Sequence, residues 1–207
     1  MFITFEGPDG GGKSTQIRLL VDALQARGIQ VVATREPGGT EIGNAIRSLL
    51  LNPLYTEMNA RTEALLYFAA RAQLVHQVIQ PAVQQGQIVL CDRYVDSSYA
   101  YQGYGRGQSI ELLRQLAKIA TAGLMPDLTL YLDIEAAEGI RRKHVEIRDR
   151  FEQQDVLFHE TVRQGYQELI AAEPSRWVVI DAAQSIESIH EQIVACVLQR
   201  LPGYAKT

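Results

Sequence analysis

Residues 7–14, Gly-Pro-Asp-Gly-Gly-Gly-Lys-Ser, fill every position of the pattern G-x-x-x-x-G-K-[ST], and no other feature narrows the possible folds as much. The apolar run Phe2–Phe5 before it reads as a buried strand. After it, Ile17, Leu20, Val21 and Leu24 recur at helical spacing, and Gly28 supplies a stop signal. Glycines between a strand and a helix let successive backbone N–H groups converge on phosphate oxygens without interference from a Cβ. The helix N-terminus adds partial positive charge at the same place. Gly7, Pro8, Asp9, Gly10, Gly11, Gly12, Lys13, Ser14 and Thr15 are therefore expected to hold a nucleoside triphosphate. Lys13 should reach the β- and γ-phosphates, and Ser14 should offer its hydroxyl to Mg²⁺. A merely flexible glycine turn is the alternative, and the strand–loop–helix context argues against it.

The remainder of the chain continues the same alternation. Strand candidates are 2–6, 30–34, 87–92, 128–133 and 176–181, each short and rich in Val, Ile, Tyr or Trp, as expected for strands covered on both faces. Helix-length stretches separate them, and the last repeats Ile186, Ile189, Ile193 and Val197. Strands alternating with helices imply βαβ units, a parallel sheet and right-handed crossovers. The expected fold is α/β: a three-layer P-loop NTPase with five parallel strands flanked by helices. At 207 residues, without repeats or linkers, residues 1–207 read as a single domain. The longest helical insertion spans about 57–85. Two segments, 103–107 and 141–154, read as surface excursions, the second as a short lid.

Further charged residues suggest a second anion. The strand at 88–92 ends in Asp92, where a carboxylate can meet Mg²⁺ directly or through water, and Arg93 follows at once. Arg93 could equally form a surface ion pair, but beside a triphosphate loop it suggests another anion to be held. Residues 141–150 carry five Lys/Arg against two acids in a chain of net charge −4. That cluster is either a solvated helix face with i,i+4 pairs such as Glu146 with Arg150, or a lid whose arginines close on the transferring phosphoryl group. Arg35, Arg47 and Arg71 lie elsewhere, and Tyr67 shares a helix face with Arg71. The acidic balance argues against an extended nucleic-acid surface. No apolar run is long enough to cross a membrane, no secretory signal opens the chain, and a cytoplasmic location is expected. Cys91 and Cys196 read as buried thiols, and the four histidines are scattered, so no cysteine or histidine metal site is expected.

With these residues in place, the chain resembles the bacterial thymidylate kinases of the nucleoside monophosphate kinase group. The matching blocks are FEGPDGGGKST at 5–15, TREPGGT at 34–40, LLYFAARAQ at 65–73, DRYVDSSYAYQGYGR at 92–106 and RDRFEQQD at 148–155. The resemblance implies ATP, Mg²⁺ and dTMP as reactants and dTDP as product. It implies that Arg93 contacts the dTMP phosphate, with Asp9 near the sugar and the transferred group. Glu36, Arg47 and Arg71 would line the acceptor site. Tyr67 would stack on the base, Ser98 and Gln102 would border it, and Tyr101 would crowd the sugar 2′ position. Because Pro8, Asp9, Gly10 and Gly11 include no basic residue, the family pattern implies that Arg142, Arg148 or Arg150 of the lid joins Lys13 and Arg93 in stabilising charge. A homodimer is implied by resemblance alone.

Three other readings stay open from sequence. A kinase for dUMP or thymidine is the nearest, although Arg93 with Arg47 favours an acceptor that already carries phosphate. A GTPase-like switch lacks N-K-x-D, and a non-enzymatic interaction domain would leave the charged set unexplained. Fold alone does not separate them.

Overall fold

The computed structural model describes residues 1–142, 150–151 and 154–201. Five parallel strands form one sheet in the order β2-β3-β1-β4-β5. They are β1 (Phe2–Glu6), β2 (Val31–Arg35), β3 (Ile88–Asp92), β4 (Leu128–Asp133) and β5 (Trp177–Asp181). In register, Ile3 of β1 stands between Leu90 of β3 and Leu128 of β4. The α/β architecture expected from the alternation is the one found, and the strand ends shift by no more than a residue. β1 lies at the centre, so the loop that follows it emerges in mid-sheet at the carboxyl end of the strands, where open α/β sheets place ligands.

Two apolar layers enclose the sheet. One joins Ile3, Phe5, Leu90, Leu130 and Leu132 to α1 (Lys13–Gln25) and α9 (Ile186–Arg200), through Leu20, Leu24, Ile189 and Ile193. The other joins Phe2, Val89, Cys91, Tyr131 and Trp177 to α3 (Ala60–Leu74), α6 (Ile110–Thr121) and α8 (Val156–Ala172). Strand alternation puts Thr4 and Glu6 on the same face as Phe2. That face accordingly carries a polar seam: Thr4 bonds Thr129 at 3.0 Å, and Arg176 forks onto Asp96 at 2.7 and 2.9 Å. Buried charge is tolerable there because each group has a geometrically matched partner.

Side-chain caps start several helices where the sequence supplies them. Thr40 accepts from the Gly43 N–H ahead of α2 (Glu41–Leu51), Asp155 from Phe158 ahead of α8, and Ser185 from Ser188 ahead of α9. The insertion expected over 57–85 is α3, a π-helical turn at Val75–Ile79 and α4 (Gln80–Gln84). The segment 103–107 is not a surface excursion throughout. The short helix α5 (Val95–Ser98) runs into a π-helical stretch, Tyr99–Gly105, buried as far as Gly103. Glycines at 103, 105 and 165 let it pack against α6 and α8, since a Cβ at Gly105 would meet Phe158 at 2.7 Å and one at Gly165 would meet Tyr104 at 2.6 Å. Of the lid expected over 141–154, residues 141 and 142, which end α7 (Ala136–Arg142), and residues 150, 151 and 154 are described, while 143–149, including Arg148, and 152–153 lie outside the described residues. Among the described residues no helix is long and apolar enough to cross a membrane.

Candidate active site

The phosphate loop takes its shape from glycine at positions no other residue suits. Gly7, Gly10 and Gly12 have φ of 126°, 79° and 85°. Gly10 also meets Gly139 of α7 backbone to backbone: a Cβ at Gly10 would lie 2.8 Å from the Gly139 carbonyl carbon and 2.9 Å from its Cα. Lys13 is buried and donates to the Gly7 and Pro8 carbonyls at 3.0 and 2.8 Å. Burial, with help from the nearby Arg93 cation, pulls its pKa down to about 8. Ser14 donates its hydroxyl to Asp92 Oδ2 at 2.7 Å, which sets two oxygen donors side by side at the mouth of the loop. A cavity of about 400 Å³ lies over these groups, lined by Asp9, Gly10, Gly12, Lys13, Ser14, Thr15, Asp92, Arg93 and Arg142.

Arg93 stands where this cavity meets a second one. Its backbone is left-handed, φ 70°, and its N–H donates to the Phe5 carbonyl at 2.9 Å, which turns the side chain off the end of β3. Nη2 donates to Asp9 Oδ1 at 2.6 Å and to the Tyr101 hydroxyl at 3.1 Å, while Nη1 donates to Ser97 Oγ at 3.1 Å and Tyr166 Oη at 3.4 Å. Burial works against the cation, but Tyr101 and Asp9 outweigh it, so Arg93 holds its proton even more firmly than a free arginine. Four side chains thus hold a permanently charged guanidinium in one orientation where the two cavities meet.

The second cavity, about 120 Å³, is lined by Asp9, Glu36, Arg47, Tyr67, Arg71, Arg93, Ser98, Tyr101, Gln102 and Phe151. The structure thus brings together every acceptor-site residue that the sequence singled out. Arg71 is fully buried: Nε donates to Glu36 Oε2 at 2.7 Å, Nη1 to Ser98 Oγ at 3.0 Å and Nη2 to the Tyr94 carbonyl at 2.9 Å. Burial raises the Glu36 pKa, and Arg71 opposes the rise. Phe151 sits edge-on to Tyr67 and Tyr101, with ring centroids 6.1 and 6.0 Å away, and closes an aromatic slot. Burial raises the Tyr101 phenol to about 12, so it stays protonated.

The lid arginines divide. Arg142 borders the phosphate cavity and donates Nη1 to the Ala182 carbonyl at 2.8 Å. Arg150 does not come to the phosphates. It is buried on the acceptor side, with Nη2 2.5 Å from Glu63 Oε2 and Nε donating to the Leu50 carbonyl at 3.1 Å, near the C-terminal end of α2. A buried carboxylate and a helix C-terminus hold the guanidinium there, so this structure places Arg150 on the acceptor side and not at the phosphates, where the lid expectation put it.

Sequence reasoning passed over Glu6, Ser97 and Tyr166 around Arg93, Glu63 behind the slot, Phe151 in its wall and Gly139 under the loop. Glu6 carried the one available signal, a charged residue ending a strand that is otherwise apolar or neutral, next to the loop. Its carboxyl is fully buried and is raised to about 7, by burial first and by the Asp96 charge second. Among the described residues no group of three or more His, Cys, Asp or Glu side chains is placed to hold a metal ion.

Comparison with known proteins gives a consistent result. The profile of a family described as thymidylate kinase matches residues 5–193. A thymidylate kinase of Roseiflexus sp. (strain RS-1) is 52% identical over 210 residues, covering 95% of this chain and 93% of the relative. That of Deinococcus radiodurans is 48% identical, covering 97% of each. The crystal structure of thymidylate kinase from Ehrlichia chaffeensis superposes with a TM-score of 0.78 at 32% identity, covering 95% of this chain and 98% of that one.

Proposed function

The chain belongs to the thymidylate kinase family, and on that premise we propose that it transfers the γ-phosphoryl group of ATP to the 5′-phosphate of dTMP, yielding ADP and dTDP. The observation that carries this reading is the position of Arg93 and Asp9, which line both the triphosphate cavity and the aromatic slot. An acceptor phosphate held by Arg93 faces a γ-phosphate held by the loop and Lys13, so an acceptor oxygen attacks γ-phosphorus while the bond to the β–γ bridging oxygen breaks. Such a transfer needs alignment and charge stabilisation more than covalent chemistry.

Lys13 and Arg93 supply that charge together with one or more lid arginines, of which Arg142 borders the phosphate cavity. Tyr67 and Phe151 flank the thymine ring, Arg71, Ser98 and Gln102 border its edge, and Arg47 and Glu36 complete the wall. Tyr101 would crowd the sugar 2′ position and favour deoxyribose. Ser14 and Asp92, hard oxygen donors 2.7 Å apart, suit Mg²⁺ and would hold it directly or through water. When bound, the ion offsets negative charge on the β- and γ-phosphates. Two copies associate through apolar surface such as Leu65 of α3 and Leu112 and Ile119 of α6, which are exposed. Light scattering that returns a monomer at micromolar concentration would remove this pairing.

The decisive experiment is a coupled ADP-release assay across dTMP, dUMP, UMP, dCMP and thymidine. The reading requires fastest turnover with dTMP. Best turnover on any other acceptor overturns the specificity, and tight ATP binding with no acceptor-stimulated turnover overturns the enzyme.

A further inference from the structure

Around Arg93 the core holds a fully buried carboxyl group. Glu6 closes β1 with no exposed surface, and its two oxygens are fully engaged. Oε1 accepts the Tyr94 backbone N–H at 2.8 Å. Oε2 accepts the Ser97 hydroxyl at 2.5 Å and the Tyr166 hydroxyl at 2.8 Å. Those are the same two hydroxyl oxygens to which Arg93 Nη1 donates.

Proton inventory gives this arrangement a direction. A hydroxyl has one proton and two lone pairs, a carboxylate only accepts, and a guanidinium only donates. When Glu6 is ionised and both hydroxyl protons point to it, Ser97 and Tyr166 turn lone pairs toward Arg93. Without Glu6 the two hydroxyls keep only each other, at 2.8 Å, and Arg93 as partners, and a hydroxyl proton turned toward the guanidinium would repel it. Ser97 reaches the cluster from α5 and Tyr166 from α8, so three separate elements converge on one side chain.

We propose that Glu6 is a positioning residue which, through the Ser97 and Tyr166 hydroxyls, fixes the plane and direction of the Arg93 guanidinium and thereby sets the site's affinity for the phosphate of the acceptor nucleotide, separately from its base and sugar. The inference rests on the reading that Arg93 holds that phosphate. Two effects of removing Glu6 oppose each other. Loss of a nearby anion alone would strengthen the pull of Arg93 on phosphate, whereas loss of hydroxyl orientation weakens it. Orientation wins on this proposal because the guanidinium must meet a fixed tetrahedral anion with directional bonds.

The test compares equilibrium dissociation constants for dTMP and thymidine, which differ only in the phosphate. The quantity read is the ratio Kd(thymidine)/Kd(dTMP) in the full-length protein and in Tyr166→Phe, Ser97→Ala, Ser97→Thr, Glu6→Gln and Arg93→Met. Tyr166→Phe removes one oxygen from a buried ring without changing charge. It should lower the ratio about tenfold, the scale of one hydrogen bond to a charged group, while thymidine affinity stays within about twofold. Glu6→Gln should lower the ratio at least as much, and Ser97→Thr should restore what Ser97→Ala loses. An unchanged or larger ratio in Glu6→Gln and Tyr166→Phe overturns the proposal, and so does equal weakening of both ligands, which would mark a general packing role. If Glu6→Gln does not fold, Tyr166→Phe with Ser97→Ala decides by the same criterion. Arg93→Met separates the premise: a ratio unaffected by that change discards Arg93 as the phosphate receptor and the role of Glu6 with it. A ratio lost in Arg93→Met but kept in Tyr166→Phe discards Glu6 alone.

Discussion

Replacing Gly139 by Ala should damage triphosphate handling from a position 130 residues away from the loop in sequence. Gly139 lies inside α7, where helix propensity alone would make Ala more stable by about 0.5–1 kcal/mol. The structure reverses the sign. A Cβ at 139 would collide with the carbonyl oxygen of Asp9, and its next neighbours are Ile134 Cγ2 at 3.6 Å and the Asp9 carbonyl carbon at 3.7 Å. The colliding atom is backbone, so no rotamer change relieves it, and either α7 or the loop must move. Overpacking of this kind costs about 1–3 kcal/mol, which leaves a net loss of up to about 2.5 kcal/mol after the helix gain. The larger consequence is geometric. Displacing residue 9 displaces loop N–H groups and the carboxylate that Arg93 holds at 2.6 Å, and misplacement on the ångström scale costs up to about a hundredfold in turnover. Thermal unfolding with and without ATP, together with kcat and KM for each substrate, measures both effects. The reasoning fails if Gly139→Ala is stabilised as propensity predicts and keeps its KM for ATP. Gly86→Ala serves as the contrast, because φ there is 76° and a Cβ meets nothing within 4 Å. It should lose about 1 kcal/mol to left-handed strain and keep full activity.

Other perturbations probe the site from different sides. With Lys13 held near 8, the ligand-free lysine loses its proton as pH rises through that value, while an anion-bound lysine keeps it. ATP affinity should therefore be flat below about pH 8 and weaken by up to about tenfold per pH unit above it, and an affinity unchanged to pH 9.5 discards the role. Arg150→Met takes the 2.5 Å partner from the buried Glu63 carboxylate, leaving Arg106 at 3.6 Å and the Gln102 amide donating at 3.0 Å as partial relief. Stability should fall by about 3 kcal/mol and KM for dTMP should rise while KM for ATP holds. A fall in kcat with stability and dTMP KM intact would return Arg150 to the transferring phosphoryl group. Asp92→Asn should raise the Mg²⁺ concentration needed for half-maximal rate by about tenfold or more. An unchanged Mg²⁺ dependence excludes Asp92 from the metal site.

Much of this site was legible because its signals are local. Gly7 to Ser14 fixes a backbone path within eight residues, and no distant contact is needed to see that it suits phosphate. Asp92 and Arg93 could be placed beside it because a parallel sheet brings strand ends to one edge. Tyr67 and Arg71 could be put on one face because a helix repeats every 3.6 residues. The spans of the strands followed from the apolar runs, with differences of at most a residue at their ends.

Pairings across the chain were a different matter. Arg150 looked catalytic because a basic cluster beside a phosphate loop suggests a lid, yet its Nε bonds a carbonyl 100 residues earlier and its charge meets Glu63. Glu6 and Tyr166 are 160 residues apart and meet only because α8 docks on the central strand. Gly139 looks like an unremarkable helix residue until α7 is seated on the loop. The sequence by itself determined the phosphate-loop pattern and the parallel α/β frame, because each follows from backbone conformation and short-range periodicity, while the acceptor was suggested by family resemblance. The tertiary structure alone decided which charges face the ligands and which are consumed by partners, because that depends on how the layers dock, and a buried charge goes to whichever opposite group the docking brings within reach.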